Sequence, residues 1–163
     1  MGTHARDKDA VVASMMFAEM VCYFDSVGKR VYDVLQDIYK QFGYYVEKAR
    51  SITFGGLDGM QKMADIMAQI RSTRFDEIDG TKVLAQSDFV TRKKTYADGK
   101  VEDITLPKTN AFKLHLENGD WICVRPSGTE PKLKFYVATS KPTESAATAK
   151  AEAYLAYMEN SVK

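Results

Sequence analysis

The sequence predicts an α+β domain, an antiparallel sheet of about four strands with helices on one face, preceded by two further helices. Three observations lead there. Beyond residue 43, short segments alternate apolar and polar residues at the period of a half-buried strand, as in Ala111-Phe112-Lys113-Leu114-His115-Leu116. Residue pairs suited to tight hairpins, Asp98-Gly99 and Asn118-Gly119, separate such segments. Two segments of helical spacing, 57–73 and 143–160, each carry one apolar stripe that needs a sheet to cover it.

The elements follow in order. Residues 9–25 read as a helix that is apolar nearly all round, with Val11, Met15, Phe17, Met20 and Phe24 on different sides. Asp7 and Asp9 suit its N-terminus. Gly28 breaks it, and a second helix over 30–42 carries Val31, Val34, Leu35, Ile38 and Phe42 before Gly43 ends it. Two helices alone cannot bury that much apolar surface. They are expected to be the tail of a preceding domain, 1–42, with the α+β domain at 43–163 and a hinge near residues 42–45. Residues 44–54 read as a strand and Gly55-Gly56 turns the chain. The 57–73 helix presents Met60, Met63 and Met67, a stripe suited to filling space under a sheet. Strands are expected near 83–89, 111–116, 121–124 and 134–138, with a polar, turn-bearing stretch at 93–105. Thr143 is an N-cap candidate for the last helix.

Composition narrows the function classes. The 163 residues are 45% hydrophobic, ample for one core, and the net charge of +1 gives no general attraction to nucleic acid or membrane. Any anion site must therefore be local. No stripe of basic residues with interleaved aromatics marks a nucleic-acid binder. Cys22 and Cys123 have neither disulfide-framework nor metal spacing, and both lie in apolar runs. Buried free thiols in a cytoplasmic protein are expected. The apolar run after Ala10 is short and interrupted for a membrane span, and the N-terminus lacks a signal-peptide layout.

One stretch concentrates chemistry. Arg125-Pro126-Ser127-Gly128-Thr129-Glu130-Pro131-Lys132 joins two alternating segments, and its prolines keep it out of helix and central strand. Arg125 offers a planar fork that matches two phosphate oxygens. Ser127 and Thr129 add hydroxyl donors, and Gly128 leaves the backbone N–H groups accessible to an anion. Lys132 and Lys134 add positive charge. The residue types suit a phosphate site, although a Pro-Ser-Gly run is also an ordinary hairpin turn.

This run, continued by Leu133-Lys134-Phe135-Tyr136, resembles the phosphate-binding loop of the α-D-phosphohexomutases, in the phosphoglucomutase/phosphomannomutase branch. Gly2-Thr3-His4-Ala5-Arg6-Asp7-Lys8-Asp9 is similar to the stretch that follows the sugar-recognition loop of that family's third domain. The resemblance implies that Arg125, Ser127, Gly128, Thr129 and Lys132 grip the non-reacting phosphate of a phosphosugar. It implies that Lys8, and with it Arg6, reaches toward the substrate. It implies an intact enzyme of four domains that interconverts hexose 1-phosphate and hexose 6-phosphate through a phosphoserine and a bisphosphosugar, with Mg2+ and a bisphosphosugar activator. Neither a Thr-Ala-Ser-His-type serine segment nor an Asp-Xaa-Asp-Xaa-Asp metal loop occurs here. The chain is therefore expected to be a C-terminal fragment, inactive alone, whose partners are the remaining mutase domains and a phosphosugar. Self-association through 11–42 is expected from the exposed helices. The alternative is a free-standing, non-catalytic phosphosugar-binding or interaction module.

Overall fold

Asp9 caps the first helix in the computed structural model, which describes residues 8–162: its Oδ1 accepts from the Val12 N–H at 3.0 Å. Helix α1 spans Ala10–Ser26, and α2 spans Val31–Phe42. Gly28 and Gly43 terminate them with φ of 73° and 94°, a backbone region that glycine enters without strain. Neither helix buries a residue, and Val11, Met15 and Phe17 are more than half exposed. No single helix among the described residues is long and apolar enough to cross a membrane; α1 and α2 reach that length and composition only together, across an 89° bend. The chain divides into two compact units after Gly43.

The second unit is an antiparallel sheet with α3 (Gly59–Ser72) and α4 (Glu144–Ser161) on one face. Its strands are β1 (Tyr44–Thr53), β2 (Glu77–Ile78), β3 (Thr81–Asp88), β4 (Lys93–Tyr96), β5 (Val101–Asp103), β6 (Phe112–Leu116), β7 (Trp121–Pro126) and β8 (Lys132–Lys141). The order across the sheet is β1-β8-β7-β6-β3-β4-β5, with the short β2 paired to β3. The architecture is the expected α+β, but eight strands replace the expected four or so. The surplus lies in β2, too short to show a period, and in β4 and β5, which flank the Asp98-Gly99 turn. Those two strands alternate partly buried with exposed positions and bury no residue outright, so apolar alternation never develops.

One core joins the layers. Met63, Met67 and Ile70 of α3 and Ala151, Tyr154, Leu155 and Met158 of α4 pack with Leu114, Ile122, Val124, Leu133, Phe135 and Val137 of the central strands. Met60, the first of the methionine stripe, stays half exposed at 50%. Thr143 caps α4, its Oγ1 accepting from the Ala146 N–H at 3.3 Å. Lys48 and Arg50 of β1 reach Glu152 on α4, and Arg50 also reaches Glu159 at 2.9 Å. Between β6 and β7, Asn118 and Gly119 take positive φ, as an Asn-Gly hairpin turn requires.

A polar cluster sits at the far end of this core. Asp120, with a side chain 0% exposed, accepts from the Ser140 N–H at 3.1 Å and from Lys141 Nζ at 2.6 Å. The Tyr154 hydroxyl lies 3.0 Å from the same carboxylate and 2.9 Å from Thr81 Oγ1. A phenol carries one proton. Given to the carboxylate, it leaves Tyr154 to accept from Thr81.

The start of α3 is packed against the chain that precedes β8. A Cβ at Gly59 would stand 2.4 Å from the Phe54 carbonyl oxygen and 3.1 Å from Pro131 Cβ. Gly59→Ala is therefore expected to destabilise the unit by about 1–3 kcal/mol, the usual cost of overpacking. A melting curve reads the loss. Amide shifts at Phe54 and Lys132 read the accompanying displacement, and an unchanged spectrum would mean that the close approach is relieved without effect.

Candidate functional site

Strand β7 ends at Pro126 and β8 begins at Lys132, so Ser127 to Pro131 form a five-residue loop at the sheet's end. Backbone bonds shape its base. The Ser127 N–H donates to the Lys132 carbonyl at 2.8 Å, and the Lys132 N–H to the Glu130 carbonyl at 2.7 Å. Just past the end of β1, the Phe54 N–H donates to the Pro131 carbonyl at 2.8 Å. With Gly59 against Pro131, the loop is held from two elements besides its own strands. The first turn of α3, whose positive dipole end faces outward from the helix, begins at that contact.

The donors inside the loop are unspent. Among the described residues, the Arg125 guanidinium, the Ser127 and Thr129 hydroxyls and the backbone N–H groups of Gly128, Thr129 and Glu130 have no acceptor within the chain. Arg125 is exposed and stands opposite Lys134 in the β7–β8 register. Lys132 is partly buried and pairs with Glu130 at 3.0 Å, which places Glu130 on the lysine rather than on Arg125. Space above Gly128 is open: an added Cβ would meet no heavy atom within 4 Å. Its φ lies outside the left-handed region, so the loop does not need glycine for its backbone shape. What glycine leaves there is room for a ligand to approach.

The structure thus brings Arg125, Ser127, Gly128, Thr129 and Lys132 together in one short loop. Lys8 is exposed, with φ of 55°, and belongs to the first unit. Arg6 lies outside the described residues. The two thiols depart from expectation. Cys22 is exposed because α1 buries nothing, and Cys123 is only half-buried because it alternates with Ile122 and Val124 on the face away from the helices.

That face carries further groups. Lys113 and His115 alternate with the buried Phe112, Leu114 and Leu116, and Lys134 and Tyr136 with Leu133 and Phe135. Lys94 stands opposite Ser87 in the β3–β4 register. The Ser87 hydroxyl shares a 2.9 Å hydrogen bond with His115 Nε2. Burial, and then the charges of Lys94 and Lys113, push the His115 imidazole down to about 4. Burial and Lys94 also lower Lys113, and burial raises the Cys123 thiol. Their signal was hidden by β3, where the register slips between Val83 and Ala85 and a bulge changes which side chains share a face. Among the described residues, no three His, Cys, Asp or Glu side chains cluster as a metal site.

Comparison with known proteins gives a consistent result. Residues 58–156 match the family model described as phosphoglucomutase/phosphomannomutase, C-terminal domain. The phosphoglucomutase of Staphylococcus epidermidis is 42% identical over 136 residues, which is 83% of this chain and 25% of that protein. The phosphoglucomutase of Staphylococcus haemolyticus is 37% identical over 134 residues, 82% of this chain and 24% of that one. The chain thus spans about a quarter of the length of the curated relatives it matches. The open form of pp63/parafusin, a phosphoglucomutase from Paramecium, matches 96% of this chain and 28% of its own, with a TM-score of 0.56 at 14% identity, a likeness of fold.

Proposed function

Since the chain belongs to the phosphoglucomutase/phosphomannomutase family and carries that family's C-terminal domain, we propose that its 125–132 loop holds the phosphate of a hexose phosphate for an isomerase whose reacting groups lie on other domains. The observation that carries this reading is the set of unspent donors: one guanidinium, two hydroxyls and three N–H groups in a loop whose base is fixed from β1 and α3. A dianionic phosphate group offers three oxygens to such donors, and charge-assisted bonds to it are the strong ones.

The loop reads the phosphate rather than the ring. It therefore accepts a phosphate attached at either end of the sugar, as an interconversion of hexose 1-phosphate and hexose 6-phosphate needs. Phosphoryl transfer rests mainly on positioning and charge stabilisation, and this domain supplies positioning. The phosphoserine, the Mg2+ ion and the sites for a bisphosphosugar activator belong, in this reading, to the other domains of the intact enzyme. Helices α1 and α2 are the tail of its third domain, with Lys8 and Arg6 near the substrate. Their exposed apolar residues pack on those domains in the intact enzyme and favour self-association of the chain by itself.

The test is a titration of this chain with glucose 1-phosphate, glucose 6-phosphate and inorganic phosphate, followed by amide NMR shifts. Weak binding of all three, with shifts centred on Arg125 to Lys132, is the expected result. Shifts elsewhere, or none at millimolar ligand, would remove the loop from phosphate binding.

A further inference from the structure

Several cations on the helix-free face of the sheet have no ion-pair partner among the described residues. Among the described residues, Lys94, Lys113, Arg125 and Lys134 have no carboxylate within ion-pair distance, whereas Lys48, Arg50, Lys93, Lys141 and Lys150 all do. Glu102, the register partner of Lys94, is occupied by Lys100 Nζ and by the Tyr96 hydroxyl, each at 2.7 Å. Arg125 and Lys134 belong to the loop already described. Lys94 and Lys113 do not, and they flank Ser87 in one row across β4, β3 and β6.

The row is built rather than incidental. Ser87 is 3% exposed, and its hydroxyl is anchored on His115. The Lys94 ammonium lies 4.5 Å from the centre of the Tyr96 ring, and that of Lys113 4.4 Å from the Trp121 ring. Each ring steadies a cation without neutralising it. Burial, and after it the charge of Lys94, lowers Lys113, and burial followed by the charges of Lys94 and Lys113 lowers the neighbouring imidazole, so the two ammonium groups add positive potential at His115. A dianion placed there offsets that potential.

We propose that this row is a second anion site, with Lys94 and Lys113 as its cations and the Ser87–His115 pair between them, and that its ligand is a phosphate-type dianion. Lys113 stands opposite Cys123, two residues from Arg125 along β7. That spacing puts the two sites on the order of 8 Å apart at the backbone, from ~6.6 Å along a strand and ~4.8 Å across one.

His115 supplies the readout. Its imidazole pKa is followed by NMR on the full chain, with sodium sulfate as probe because sulfate keeps its double charge through the acid range. Chloride at equal ionic strength corrects for screening. Binding of an anion favours the imidazolium, so sulfate should raise the His115 pKa by roughly half a unit or more beyond the chloride effect, by linkage. Lys113→Gln should abolish the extra rise and Lys113→Arg should retain it. The rise should persist in Arg125→Ala, which separates this site from the loop. A sulfate effect equal to that of chloride, or one undiminished by Lys113→Gln in a variant that still melts cooperatively, overturns the second site.

Discussion

Arg125→Ala should weaken binding of a hexose phosphate by roughly tenfold to a hundredfold and leave the melting temperature where it was. The size follows from one or two charge-assisted hydrogen bonds of ~1.5–3 kcal/mol at a factor of ten per ~1.4 kcal/mol. The silence of the fold follows from the structure: Arg125 is exposed, and no partner within the described residues depends on it. Lysine is a poor substitute, because a point charge cannot match two phosphate oxygens as a planar fork does. Within a complete enzyme of the family, the same change should lower kcat/KM by a similar factor. Calorimetric titration of the chain and steady-state rates of the complete enzyme are the two measurements. Unaltered affinity together with unaltered kcat/KM would leave the loop as a mere turn.

Asp120→Ala has the largest expected effect on stability, about 3–5 kcal/mol, the range for removing one partner of a buried ion pair. The carboxylate satisfies Lys141, the Ser140 N–H and the Tyr154 hydroxyl, and its side chain is wholly shielded from solvent. Alanine leaves all three donors facing a void. Burial already holds the Tyr154 phenol well above its usual range, with Asp120 adding to the shift, so that hydroxyl cannot escape by ionising. A fall in melting temperature on the order of 10–20 °C is expected for a unit of this size. Asp120→Asn keeps the volume and loses the charge, so it should fall between the two. A change of under 1 kcal/mol in Asp120→Ala would show that water replaces the carboxylate without loss.

Much of this was legible in the residue order, for identifiable reasons. The loop stood out because two prolines and a glycine interrupt an otherwise regular alternation, leaving polar groups no role in a ladder. Helices α3 and α4 were legible because each has one apolar stripe, and β6 and β7 because Leu114 and Ile122 alternate with partly buried neighbours. Strands β4 and β5 were not, since a strand that buries nothing outright has no alternation to read. Gly59 could not be told from the glycines just before it, because its constraint comes from Pro131, distant in sequence. The Lys94–Ser87–Lys113 row was hidden for a similar reason. Strand alternation assigns faces only while the register holds, and the bulge in β3 breaks it.

The pairing of β1 with β8 has a consequence for how the unit is made. Tyr44 meets Lys141 and Thr53 meets Lys132, so the first strand of the unit waits for the last. During synthesis the hairpins β3–β4 and β6–β7 can form as they leave the ribosome, but the seam that holds Pro131 against Phe54 cannot close until β8 and then α4 have emerged. Such non-local closure is slow, and until it happens β1 presents an unpaired edge. The nascent chain therefore acquires the shape of its 125–132 loop only after β8 has emerged, in the same step that seals the sheet.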